Sequence, residues 1–164
     1  MEPNVFDQLA NHYDTPERKE LAQIIASEIQ KECRNSHSKT LFDYGCGTGL
    51  VGLSLTSLVG HVSFIDSSAP MLGIVREKIK NLNLTNAEVI HSNFLGSSRN
   101  KKADILLVSL VLLHIPDTKK ILNFFYEILN PNEKLMIVDF DKNKKINHPK
   151  VHNGFRSRNK ILTK

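Results

Sequence analysis

Leu41-Phe42-Asp43-Tyr44-Gly45-Cys46-Gly47-Thr48-Gly49 is the stretch whose reading decides the fold. Thr40 to Tyr44 reads as a strand and ends in three glycines at alternate positions. Leu50 to Leu58 follows directly as an apolar run, read as a buried helix. Glycines are needed where backbone turns tightly and lets a ligand come close. In an open α/β sheet such a turn sits at the carboxyl edge of a strand, where ligands bind. His61 to Ile65 reads as the second strand and ends at Asp66, 21 residues after Gly45. That distance crosses one helix and reaches the neighbouring strand tip, where a carboxylate can hold two ribose hydroxyls. The glycine spacing separates ligand classes. A dinucleotide loop reads GxGxxG, but here Leu50 stands at the third position and the pattern is GxGxG. Asp43, just before the loop, is unwelcome beside a pyrophosphate and useful beside a ligand carrying an ammonium and a sulfonium.

Outward from this core, the chain alternates between strand and helix patterns. Asn4 to His12 reads as a short helix. Thr15-Pro16-Glu17 is an N-cap, a proline at the first helical position and an acid in the first turn. The helix they open runs to about Cys33, with Leu21, Ile24, Ile25 and Ile29 at helical spacing. Pro70 to Leu82 is a helix with Met71, Leu72, Val75 and Ile79 on one face. Ala87 to His91 is a third strand, and Ile105 to Leu110 is a fourth, apolar enough to be covered on both faces. Asp117 or Thr118 caps a helix whose inner face holds Ile121, Leu122, Phe125, Ile128 and Leu129. Leu135 to Phe140 is a fifth strand. This order implies an α/β fold: a Rossmann-like open, mostly parallel sheet with helices on both faces.

Asp43 to Gly49 resembles the first motif of class I S-adenosylmethionine-dependent methyltransferases of the small-molecule type, nearly residue for residue. Phe64-Ile65-Asp66-Ser67-Ser68-Ala69-Pro70-Met71-Leu72 is similar to the second motif of that family, in which the acid binds the ribose and the following segment lies by the adenosine. His91-Ser92-Asn93-Phe94 occupies the third motif, with Asn93 where an acid is frequent. Ser109 to Ile115, followed by Asp117, resembles the fourth motif. Leu129 to Leu135 resembles the turn before the fifth strand, with Asn132 and Glu133 in place of two glycines. Phe6-Asp7 through Tyr13-Asp14 to Arg18 resembles an N-terminal cover. The resemblance spans roughly Val5 to Phe140. It implies S-adenosyl-L-methionine as cofactor, held by Asp43, Gly45, Cys46, Gly47, Gly49, Asp66, Ser67, Met71, Asn93 and Phe94. Tyr13 and His114 are the acceptor-side candidates for positioning or proton removal. Cys46 and Met71 also read as packing residues, and His114 as a structural histidine.

The family fold has seven strands, and no pair of strand-like runs follows Phe140. The last two strands are therefore expected to be missing, leaving the fifth strand as an open edge that calls for protection. A homodimer contact, aggregation or cover by the tail would supply it. Eight of the 22 Lys and Arg residues fall between Lys142 and Lys164, where there is no acid. Met1 to Asp141 thus holds 14 basic residues against all 17 acids, a net charge of −3. Residues 1–141 read as the cofactor-binding domain and 142–164 as a basic tail, disordered or a partial helix. A charge run at a terminus reads first as solvated, so nucleic acid is disfavoured as a partner.

The opening residues do not read as a signal peptide, and no apolar run spans a bilayer. Two cysteines without a CxxC pair, and histidines without ligand spacing, indicate neither disulfide framework nor metal. A cytoplasmic protein with no membrane partner is expected. The function expected is methyl transfer to a small-molecule acceptor. The alternatives are a non-catalytic cofactor-binding or interaction remnant, a nicotinamide-dependent oxidoreductase and a nucleic-acid methyltransferase.

Overall fold

The computed structural model describes residues 5–92, 101–140 and, as backbone, 160–163. A helix α1 (Val5–Leu9) runs into a 3₁₀ turn (Ala10–His12), and α2 (Pro16–Glu32) leads to β1 (Thr40–Tyr44). A second 3₁₀ turn (Gly52–Leu55) precedes β2 (His61–Asp66). Then come α3 (Ala69–Asn81), β3 (Ala87–His91), β4 (Ala103–Ser109), a third 3₁₀ turn (Leu112–His114), α4 (Thr118–Ile128), β5 (Leu129–Val138) and β6 (Lys160–Thr163). The sheet order is β3-β2-β1-β4-β5-β6. The first five strands are parallel and β6 is antiparallel to β5. The order reverses direction between β1 and β4, so the crevice outside their carboxyl ends is the ligand position in such a sheet.

β4 shows why both faces are covered. Successive side chains on a strand point to opposite faces. Ile105 and Leu107 enter one apolar cluster with Ile25 and Ile29 of α2 and Val75 of α3. Leu106 and Val108 enter the other with Ile121, Phe124, Phe125 and Ile128 of α4. The three main helices start where their chemistry permits. The Thr15 hydroxyl accepts from the Arg18 amide, Ser68 from Met71 and Asp117 from Lys120.

Several expectations need correction. Leu50 to Leu58 is not an α-helix; only the 3₁₀ turn Gly52–Leu55 forms. The Ser54 hydroxyl donates to the Val51 carbonyl at 2.6 Å and Thr56 to Leu53 at 2.9 Å, taking acceptors that a helix would need. On α4 the buried stripe is Ile121, Phe124, Phe125 and Ile128. Leu122 is 36% exposed, and Leu129 already belongs to β5. On α2, Ile24 is exposed while Ala22 and Ala26 join Ile25 and Ile29 inside. β5 begins at Leu129 because Ala103 pairs with Leu129 and Ile105 with Lys134, so residues 130–133 bulge out of register. Asn132 takes a left-handed φ of 62° there. Asparagine tolerates that conformation better than most non-glycine residues.

The β5 edge receives one of the covers expected for it, the tail: β6 pairs along it from Lys134↔Thr163 to Ile137↔Lys160. A strand therefore stands in the tail where none was expected, and it is extended, not helical. It takes the edge on which the homodimer expectation rested. Asn93 and Phe94 lie outside the described residues.

Candidate functional site

The glycine loop leaves β1 at the reversal point. The amides of Gly45 and Cys46 both donate to the Ile65 carbonyl, at 2.8 and 3.1 Å, which sews the loop to β2. Gly45, Gly47 and Gly49 have φ of 70°, 54° and 78°, the left-handed region that glycine alone enters at little cost. Their neighbours differ. A side chain on Gly45 would run into Val111, and one on Gly49 would press Leu53 and Val75 at 3.3 Å. Only at Gly47 is the space open, with the Tyr13 ring 3.7 Å from where a Cβ would stand. Gly47 is thus the one of the three whose bare backbone faces the mouth. Gly45 and Gly49 are also packed against Val111, Leu53 and Val75.

Asp66 occupies the tip of β2 as expected. One carboxylate oxygen accepts from the Gly47 amide at 2.8 Å and the other from Ser68 at 2.9 Å. Burial pushes its pKa above the ordinary carboxylate value, and the amides of Ser68, Gly47 and Ser67 pull it back. A carboxylate has about four acceptor positions, so capacity remains for a hydroxyl. Ser67, next in the chain, turns its carbonyl to His91 Nε2 at 2.9 Å. Met71 is 1% exposed and belongs to the core.

Asp43 lies buried beneath the loop, 3% exposed, and its carboxyl accepts from the Gly52 amide. A side chain at Gly52 would collide with that carboxyl and would stand 2.7 Å from the Phe64 ring. Burial, helped by the nearby Asp66 charge, pushes Asp43 up to about 7. It braces the loop from below. Cys46 is half-buried, and burial raises its thiol well above the usual range. A protonated thiol is a poor nucleophile.

Tyr13 lies over the loop with the Arg18 guanidinium 4.2 Å above its ring, and Arg18 also donates to the Tyr13 carbonyl at 3.1 Å. Burial raises the phenol pKa, Arg18 opposes this, and Asp66 and Asp14 add to it. Tyr13 is therefore a neutral hydroxyl near pH 7, suited to positioning and not to removing a proton. His114 ends the third 3₁₀ turn, exposed, with the Phe6 ring edge-on at 5.0 Å.

Sequence reasoning missed the residues that hold these parts together. Asp139, just past β5, accepts from the Leu113 amide at 3.3 Å and from Phe140 at 2.9 Å, with the Leu112 amide also turned toward it. It thereby caps the turn carrying His114 from a distant strand. Leu110 enters that turn at a φ of 57°, strain of the kind that gathers at functional sites. Asp14 accepts from Thr48 and Lys78, and Asp7 accepts from Ser68 at 2.6 Å. The Ser92 hydroxyl is buried with no partner among the described residues. None of these has a motif; only Asp7 and Asp14 carried a hint, from the N-terminal cover. The depression lined by Arg76, Ile79, Lys80, Leu84 and Val89 lies at the opposite end of the sheet. Among the described residues no group of His, Cys, Asp and Glu is placed to hold a metal, and no helix is long and apolar enough to cross a membrane.

Comparison with known proteins agrees with this arrangement. The methyltransferase domain family matches residues 35–163. Demethylmenaquinone methyltransferase of Listeria welshimeri is 27% identical over 147 residues, covering 82% of this chain and 60% of that protein. Ubiquinone biosynthesis O-methyltransferase of Hydrogenovibrio crunogenus is 27% identical over 149 residues, covering 88% and 62%. The crystal structure of an S-adenosylmethionine-dependent methyltransferase from Aquifex aeolicus superposes with a TM-score of 0.70 at 24% identity, covering 87% of this chain and 78% of that one. This chain belongs to the methyltransferase domain family. It spans 60% and 62% of the length of the two curated relatives named. S-adenosyl-L-methionine is the cofactor of this family, and the residues present fit it. An open Gly47 backbone and a strand-tip carboxylate with spare acceptor capacity meet at one mouth.

Proposed function

We propose that this chain transfers the methyl group of S-adenosylmethionine to a small-molecule acceptor. The observation that carries the reading is the Asp66–Gly47 contact at the strand reversal, roofed by Tyr13. When bound, the cofactor supplies an electrophilic methyl carbon on a sulfonium, so the protein's work is alignment and exclusion of water. Asp66 grips the ribose hydroxyls. Gly47 presents bare backbone, and Asp43 keeps the loop in shape from beneath. Tyr13 closes over the loop as a neutral phenol. His114 orients the acceptor or takes its proton, histidine being the side chain most often used for that task. The curated relatives named for menaquinone and ubiquinone precursors make quinone-type rings the first acceptor class to assay. A ring seated beside Phe6 and His114 suits that class.

Calorimetric titration with S-adenosylmethionine, with NAD as control, tests the reading. Selective binding that Asp66→Ala weakens at least tenfold, with the fold intact, is expected. A folded protein that binds neither ligand would transfer support to the non-catalytic alternative.

A further inference from the structure

We infer that Asp14 and Lys78 are positioning residues: with Thr48 they clip the segment from Phe6 to Thr15 onto the glycine loop and set how tightly a nucleoside is retained. The inference rests on the cofactor reading above and deepens it. One oxygen of Asp14 receives the Thr48 hydroxyl. The other receives the Lys78 ammonium at 2.7 Å, and that ammonium also donates to the Thr48 carbonyl at 2.8 Å. Thr48 lies between Gly47 and Gly49 and is 1% exposed. Three separate segments therefore meet in one polar node: the N-terminal cover, the loop and α3. Each pin lands beside a ligand-facing group. Asp14 follows Tyr13, which lies over Gly47, and the second pin, Asp7 to Ser68, ends two residues from Asp66.

Besides these pins the cover is held by the Phe6–His114 ring contact and by Arg18 on Tyr13, and its own apolar burial is small. α1 has five residues, none buried, and an isolated helix that short is not stable in water. Val5 is 57% exposed and Leu9 38%, while Ala10 is buried. With so little apolar burial, the closed position depends on the polar pins. If the site binds ligand only when closed, its apparent dissociation constant rises in inverse proportion to the closed fraction.

The test compares wild type, Asp14→Asn, Lys78→Met, Lys78→Arg and the Asp14→Asn/Lys78→Met double variant. S-adenosylhomocysteine affinity is measured by calorimetry, and amide exchange of residues 10–15 by mass spectrometry without ligand. Each single loss should weaken binding roughly fivefold and speed exchange of the cover, with exchange in the sheet unchanged. The double variant should be no worse than Asp14→Asn alone, and Lys78→Arg should restore most of both. Wild-type behaviour of Lys78→Met in both measurements, or a double variant equal to the product of the singles, would overturn the clip. If wild type fails to bind S-adenosylhomocysteine, the cofactor reading fails. The exchange of the ligand-free proteins then still decides the clip: faster in Lys78→Met supports it, equal sinks it.

Discussion

Asp43 carries a tension that a motif cannot display. As the acid before the glycines it was legible at once, yet its burial under the loop comes from Gly52 and Phe64, which only the fold brings to it. Its folded pKa is about 7 against an ordinary 3.8. Between those values the folded chain keeps a proton that the unfolded chain has released. Stability therefore falls as pH rises through that window, by on the order of 4 kcal/mol once above it. Asp43→Asn, whose amide oxygen can still accept from Gly52, should raise the urea midpoint at pH 8 and leave it nearly unchanged at pH 4. A lower midpoint at pH 8 would mean the ionised carboxyl is needed to hold the loop. Gly45 tells a related story: Val111 leaves no room for a side chain there. Gly45→Ala should cost roughly 3 kcal/mol, from the left-handed φ and the clash together. Adding Val111→Ala should return the steric share. Equal losses in thermal melts of the single and double variants would argue against the clash.

At the level of elements, β1 and β3 have the expected bounds because apolar runs between polar or glycine punctuation leave little choice. The segment after the loop was misread because its apolar composition suits a helix, while Ser54 and Thr56 spend its carbonyls locally. The turn from Leu110 to His114 was legible as a strand exit, but its cap was not, since Asp139 lies 26 residues beyond Leu113. Leaving those amides without an acceptor should cost about 1–3 kcal/mol. Asp139→Ala should speed exchange of the Leu113 amide and shift the His114 ring resonances, which sense the Phe6 ring, while amides of β1 and β2 stay protected. Unmoved His114 resonances would show that the turn stands without its cap.

For the whole molecule, the parallel order was legible from the alternation of patterns, whereas β6 was not. Lys160–Thr163 is too short to announce itself and gains its meaning from the edge it meets. A chain ending at Arg158 exposes the β5 edge and should self-associate with rising concentration in sedimentation velocity, where the full chain does so less. Identical behaviour of the two would remove any protective role from β6. The sheet's register also has a consequence for the chain during synthesis. Leu41 pairs with Val62 on one side and with Ile105 on the other, so β1 waits more than sixty residues for its second neighbour. Contacts that close long loops form late, and N-terminal parts emerge first. The half that holds Gly47, Asp66 and the Asp14 node is thus available on the ribosome before the half that holds His114 and Asp139. The residues proposed to grip the nucleoside therefore emerge before those proposed to face the acceptor.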